Sequence, residues 1–218
     1  MGSRKLLRNK YMQQYRILCF GDSIVMGTWD TQGGWVDRLK QHFHTEYFER
    51  KRKVQVYNLG IGGELSGGLA KRMQSEIEAR LDSKWEPIII IGTGKNDSRS
   101  RGTPNNYEST PEEYKHNLRN CIETAQKYST KILLIGIGLT DESVSFKDLY
   151  YNNDRMRLFN EINKQIAHEF HVSRVELQEE MEQVPDLKSW FVDGIHPNHV
   201  GYQWIYEMVL PLVLKLVD

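Results

Sequence analysis

The chain has 218 residues, 29 basic and 29 acidic, so its formal net charge is zero with the histidines neutral. That balance excludes a basic footprint for nucleic acid, and the length admits one domain with a substantial core. The two cysteines, Cys19 and Cys121, form no disulfide framework or metal-ligand spacing and read as small buried apolar residues.

No apolar h-region precedes Ile17, and no apolar run approaches the roughly 20 residues of a membrane span. The expectation is a soluble, cytoplasmic protein without stable membrane insertion. The basic stretches Arg4 to Lys10 and Arg50 to Lys53 lack aromatic interleaving and read as solvated ends.

Residues 1–14 are polar and are expected to form an arm ahead of a single domain over 15–218. Tyr15 to Phe20 reads as a strand that stops at Gly21-Asp22-Ser23. Trp35, Leu39, Phe43 and Phe48 predict a helix over about 34–50. Lys53 to Leu59 alternates as a strand and runs into the glycine turn Gly60-Ile61-Gly62-Gly63. Leu69, Met73, Ile77 and Leu81 predict a helix over 65–81. Pro87 to Ile91 is a continuous apolar run, suited to a central parallel strand buried on both faces. It ends at Gly92-Thr93-Gly94-Lys95-Asn96-Asp97, and a polar loop follows to Ser109.

Thr110-Pro111-Glu112-Glu113 carries a capping box with proline at the first helical position, and its helix runs to about Tyr128. Lys131 to Ile137 is a fourth strand, 139–150 a loop, Tyr151 to Phe170 a long helix, and Val172 to Leu177 a fifth strand. Glu179 to Leu187 is a weak helix or loop. A last amphipathic helix starts near Asn198 and is expected to pack on the sheet, with Pro211 kinking or splitting it. Strand and helix thus alternate about five times, which argues for a three-layer α/β fold with a parallel sheet. Ligands collect at the carboxyl ends of the strands in such folds. Ser23, Gly60 to Gly63 and Asn96 each follow a strand and share that edge.

A serine hydroxyl is a weak nucleophile and needs a base with an orienting acid. The stretch Asp193-Gly194-Ile195-His196-Pro197-Asn198 supplies both, since a carboxylate three residues before an imidazole reaches its second nitrogen across one turn. A tetrahedral oxyanion further needs donors, which the N–H of Ser23, the N–H of Gly63 and the Asn96 amide can provide. Taken singly, each piece also reads as ordinary structure: Ser23 as a helix N-cap, Asn96-Asp97 as a turn, Asp193 and His196 as a helix-entry hydrogen bond. The other histidines read as solvated helix faces or ends. Lys95 sets a cation beside the oxyanion site, either turned to solvent or favouring an anionic substrate.

Together the four stretches resemble the SGNH hydrolases, also called GDSL-type esterases and lipases. Gly21-Asp-Ser-Ile24, Asn58-Leu-Gly-Ile-Gly-Gly63, Gly94-Lys-Asn-Asp97 and Asp193-Gly-Ile-His196 match the family's blocks in order over nearly the whole chain. The resemblance implies a flavodoxin-like αβα sandwich of about five parallel strands. It also implies a serine esterase without cofactor or metal, acting on a small ester or thioester. Ser23 would be the nucleophile, His196 the base and Asp193 its partner, with Ser23, Gly63 and Asn96 forming the oxyanion hole. One rival is a non-hydrolytic binding module on the same fold. A second rival, a nucleotide-binding protein, fails on the pattern: Gly92-Thr-Gly-Lys95 lacks the first glycine and the Ser or Thr of a phosphate loop.

Overall fold

The four isoleucines Ile88 to Ile91 explain the layering. Successive side chains of a strand point to opposite faces, so Ile88 and Ile90 enter one core while Ile89 and Ile91 enter the other. All four are fully buried, as expected for a central strand covered by helices on both sides.

A computed structural model describes residues 13–144 and 147–218. The expected arm over 1–14 lies outside the described residues except for Gln13 and Gln14, and Gln14 already belongs to the first strand. In chain order the elements of the first half are β1 (Gln14–Gly21), α1 (Ser23–Met26), α2 (Gly34–Phe48), β2 (Lys53–Gly60), α3 (Ser66–Glu78), β3 (Glu86–Gly92), β4 (Ser100–Arg101) and α4 (Pro111–Gln126). The second half comprises β5 (Ile132–Ile135), β6 (Leu149–Tyr150), α5 (Asn153–Glu169), β7 (Ser173–Val175), α6 (Leu177–Met181), a 3-10 turn (Leu187–Trp190) and α7 (His199–Val217).

Five strands form one sheet in the order β2-β1-β3-β5-β7, and every pair in it is parallel. Helices α2 and α7 cover one face through Trp35, Leu39, Phe43, Ile205 and Val209. Helices α3, α4 and α5 cover the other through Leu69, Met73, Leu118, Ile122 and Phe159. The three-layer sandwich read from the alternation is therefore the observed fold. The chain steps outward from β1 to β2 and then back past β1 to β3. The carboxyl ends of β1 and β3 thus flank a topological switch point, where open α/β sheets hold their ligands. The register pairs Gly21 with Gly92 at that edge. A Cβ at Gly21 would lie 2.0 Å from the Gly92 carbonyl oxygen, so only glycine lets the two strand ends close on each other.

Two expectations need correction. Pro211 does not split the last helix: α7 runs unbroken from His199 to Val217 with Pro211 on its exposed side. That helix is long and apolar enough to span a membrane by length and a mean hydropathy of 1.2, although Gln203, Glu207 and Lys215 interrupt its apolar run. It lays Tyr202, Ile205, Val209 and Val213 against the sheet. Finally, the stretches expected as plain loops contain a second sheet. β4 and β6 pair antiparallel as a short ribbon, with Ser100 opposite Tyr150 and Arg101 opposite Leu149. Two residues per strand leave no hydrophobic period for a sequence reading to detect.

Candidate active site

Ser23 opens α1 two residues after Gly21, the end of β1. Asp22 is the N-cap, its side chain accepting from the Ile24 N–H at 2.9 Å. Ser23 is 8 % exposed and its Oγ lies 2.9 Å from His196 Nε2. His196 Nδ1 lies 2.7 Å from Asp193 Oδ2. A hydroxyl, an imidazole and a carboxylate are thereby joined in one line.

The turn that carries His196 is held from several directions. Asp193 Oδ1 accepts from the N–H groups of Ile195 at 3.1 Å and His196 at 2.8 Å, so one carboxylate both shapes the turn and contacts the ring. Val192 N–H donates to the His196 carbonyl at 2.9 Å. Asn198 then caps α7 by accepting from Val200 and Gly201. Burial raises the Asp193 carboxyl, but the His196 N–H and ring more than reverse this and leave it below the ordinary carboxylate range. It stays ionised opposite the imidazole.

Lys95 corrects the expectation that it turns to solvent. It is only 7 % exposed. Its ammonium donates to the carbonyls of Leu139 at 2.9 Å and Ile195 at 3.4 Å, bracing the His196 turn. Burial lowers its pKa to about 8, against the pull of Asp22 and Asp193. Burial likewise raises Asp22 to about 6. With Thr93 the two form the polar wall of a pocket of about 50 Å³ whose other lining includes the apolar Val25, Trp35, Leu177 and Ile205.

Gly63 sits at φ +76°, which L side chains rarely adopt, and a Cβ there would meet nothing within 4 Å. Its turn is clamped by Arg72, which holds the Glu64 carboxylate through Nε and Nη2 at 2.8 and 2.6 Å and the Leu59 carbonyl at 2.7 Å. Asn96 is 4 % exposed, and its Nδ2 donates to the Glu64 carbonyl at 3.1 Å. The neighbouring Asp97 is fully buried and accepts from the Ser66 N–H and hydroxyl and from Ser109. It fastens the start of α3 to the end of β3 and so ties the turns of Gly63 and Asn96 together. The N–H groups of Ser23 and Gly63 find no acceptor among the described residues.

The five sequence-derived residues fall in two groups near the carboxyl edge of the sheet: Ser23, Asp193 and His196 in a hydrogen-bonded line, and Gly63 and Asn96 bridged through Glu64. Three partners of these residues escaped the sequence reading. Trp29 donates its indole N–H to Asp193 Oδ2 at 3.1 Å. Arg99 and Tyr151 both donate to Asn96 Oδ1, at 2.6 and 3.1 Å. Trp29 and Arg99 lie close in sequence to Ser23 and Asn96, a proximity that could have flagged them. Tyr151 carries no such signal.

A doubly covered parallel sheet with serine, histidine and aspartate joined by hydrogen bonds matches the arrangement of GDSL-type hydrolases. The chain belongs to the GDSL-like lipase/acylhydrolase family, whose profile it matches over residues 19–204, and is an esterase/acylhydrolase by that membership. It is 24 % identical over 214 residues to the human isoamyl acetate-hydrolyzing esterase 1 homolog, covering 93 % of this chain and 83 % of that protein. Among solved structures it resembles the lipase/acylhydrolase from Enterococcus faecalis, with a TM-score of 0.74, 20 % identity and coverage of 92 % and 95 % of the two chains. It also resembles the acetylxylan esterase Axe2 from Geobacillus stearothermophilus, with a TM-score of 0.70, 20 % identity and coverage of 93 % and 95 %.

Proposed function

We propose that the protein hydrolyses a small carboxylic ester or thioester through an acyl-enzyme, with Ser23 as nucleophile, His196 as base and Asp193 as its orienting acid. The observation that carries this reading is the unbroken line of hydrogen bonds, 2.9 Å from Ser23 Oγ to Nε2 and 2.7 Å from Nδ1 to Asp193.

In the first half-reaction Ser23 Oγ attacks the acyl carbon while its proton passes to Nε2. The carbonyl π pair moves onto oxygen. The resulting oxyanion takes hydrogen bonds from the N–H of Ser23, the N–H of Gly63 and the Asn96 Nδ2. Collapse of the intermediate expels the alcohol or thiol, which receives the proton from the imidazolium. A water repeats the sequence on the acyl-serine and releases the acid. The ionised Asp193 holds Nδ1 protonated throughout, so that Nε2 is the nitrogen that takes the Ser23 proton. No cofactor enters any step.

Short acyl groups are the favoured donors in this reading, because the names of the human relative and of Axe2 both point to acetyl esters. The test is release of p-nitrophenol from acetyl, butyryl and octanoyl esters by the wild type, Ser23→Ala and His196→Ala. Turnover that falls by about a thousandfold or more in both variants is expected, with the acetyl ester preferred. Equal rates in wild type and variants would reject the assignment. A wild type that neither turns over nor is labelled by a fluorophosphonate at Ser23 would make the protein a binding module.

A further inference from the structure

The ribbon of β4 and β6 takes no part in the main sheet, yet it ends against the Asn96 carboxamide. Its register sets Ser100 opposite Tyr150 and Arg101 opposite Leu149. Residues flanking such a pair also face each other across an antiparallel ladder, so one further step sets Arg99 opposite Tyr151. Both direct a donor at the same atom. Arg99 Nη1 donates to Asn96 Oδ1 at 2.6 Å, and the Tyr151 hydroxyl donates to it at 3.1 Å. Arg99 Nη1 also lies 3.3 Å from the Tyr151 oxygen, and Nη2 lies 3.4 Å from the Gly63 carbonyl. Glu108 ion-pairs with Nε and fixes the plane of a guanidinium that is only 5 % exposed.

An asparagine amide has an accepting end and a donating end of nearly equal shape. With two donors against Oδ1 and the Glu64 carbonyl against Nδ2, a single orientation satisfies every group. A flipped amide would face its NH₂ toward a guanidinium and a phenol while turning its oxygen on a carbonyl. A donor held in this way needs no reorganisation when charge develops on the substrate.

We propose that the ribbon is an orienting clamp on the oxyanion hole, with Arg99 and Tyr151 as positioning residues that decide which end of Asn96 meets the acyl oxygen. Arg99 further links that amide to the Gly63 turn, so the side-chain donor and the glycine donor are set by one buried cation. The inference rests on the reading of Asn96 and Gly63 as oxyanion donors.

The experiment is a double-mutant cycle on hydrolysis of p-nitrophenyl acetate, using Asn96→Ala, Arg99→Met, Tyr151→Phe and the paired variants. Asn96→Ala is expected to lower kcat by about 100- to 1000-fold. Arg99→Met should lower kcat by about 10- to 100-fold with KM moved less than about threefold, since the lost interaction acts in the transition state. Combined with Asn96→Ala, Arg99→Met should cost less than about twofold more, because its route runs through the missing amide. Arg99→Lys keeps the charge but cannot fork between Oδ1 and the Gly63 carbonyl, and should not restore kcat.

Equal losses from Arg99→Met in both backgrounds would overturn the proposal, as would an effect confined to KM. If Arg99→Met does not fold, Tyr151→Phe carries the same cycle, with a loss of about three- to tenfold that vanishes beside Asn96→Ala. A Tyr151→Phe loss that persists there also overturns it. A wild-type kcat in Asn96→Ala alone would instead reject the oxyanion-hole reading, and the clamp with it.

Discussion

Trp29 and His196 share one acceptor: the indole N–H and the imidazole Nδ1 both meet Asp193 Oδ2, at 3.1 and 2.7 Å. Trp29 is 68 % exposed and holds φ at +66°, a left-handed backbone that costs a bulky residue about 1–2 kcal/mol. Such a conformation is kept where the surroundings over-determine it, and here backbone bonds on either side, from Thr28 N–H to the Ser23 carbonyl and from Asp30 N–H to the Gly27 carbonyl, hold the turn. Trp29→Phe leaves ring and backbone in place and removes only the donor. Its kcat on p-nitrophenyl acetate should fall by about three- to tenfold, with the melting temperature within about 2 °C of wild type.

Asp193 has two duties that substitution can separate. Asparagine at this position can still accept from the N–H groups of Ile195 and His196 through one oxygen, so the turn survives. Its NH₂, however, would confront Nδ1 with a donor and favour the tautomer whose Nε2 carries the proton. Asp193→Asn should therefore fold normally and lose about 10³- to 10⁴-fold in kcat. A circular dichroism melt beside the ester assay checks both halves.

Lys95 gives the stability curve a basic limb. Its pKa, lowered to about 8 by burial from an unfolded value of 10.5, means that the unfolded chain binds more protons between those two values. Stability then rises with pH across that window and is unaffected below it. The gain is roughly 2–3 kcal/mol between pH 7 and pH 10. Urea unfolding of wild type and Lys95→Met at both pH values isolates it. The difference should shift in favour of the wild type at pH 10, and an unchanged difference would place the ammonium in water.

Pro211 lies inside α7 and removes the N–H that would bond the Glu207 carbonyl. Because its ring is on the exposed side, alanine can replace it without opening a cavity. Pro211→Ala should stabilise the protein by about 1–3 kcal/mol, read by urea unfolding.

The two thiols offer a simple control. Burial pushes Cys121 up to about 12 and Cys19 higher still. Since only thiolate reacts, neither should titrate with a disulfide reagent at pH 8 until the chain is unfolded, when both should.

The sheet and the residues on its edge were legible because their signals are local. Ile88 to Ile91 announces a doubly buried strand, and Ser23, Asn96 and His196 each stand two residues after a glycine, at Gly21, Gly94 and Gly194. Burial of a charge is not local. Lysine is exposed by default, and only the carbonyls of Leu139 and Ile195, brought from distant loops, draw Lys95 inward. Tyr151 reaches Asn96 because two dipeptides pair with 47 residues of chain between them, which no periodicity announces. Pro211 follows the same logic: the apolar face of α7 against the sheet keeps the helix unbroken through a residue whose intrinsic preference opposes it.

The contact between Ser23 and His196 spans 173 positions, and the histidine arrives only with the turn that leads into the last helix. On the proposed mechanism Ser23 therefore emerges during synthesis long before its base and stays an inert alcohol until then. Ester turnover would begin when the final segment docks, which would make the appearance of product a clock for completed folding. A refolding trace followed with a chromogenic ester would time that closing step directly.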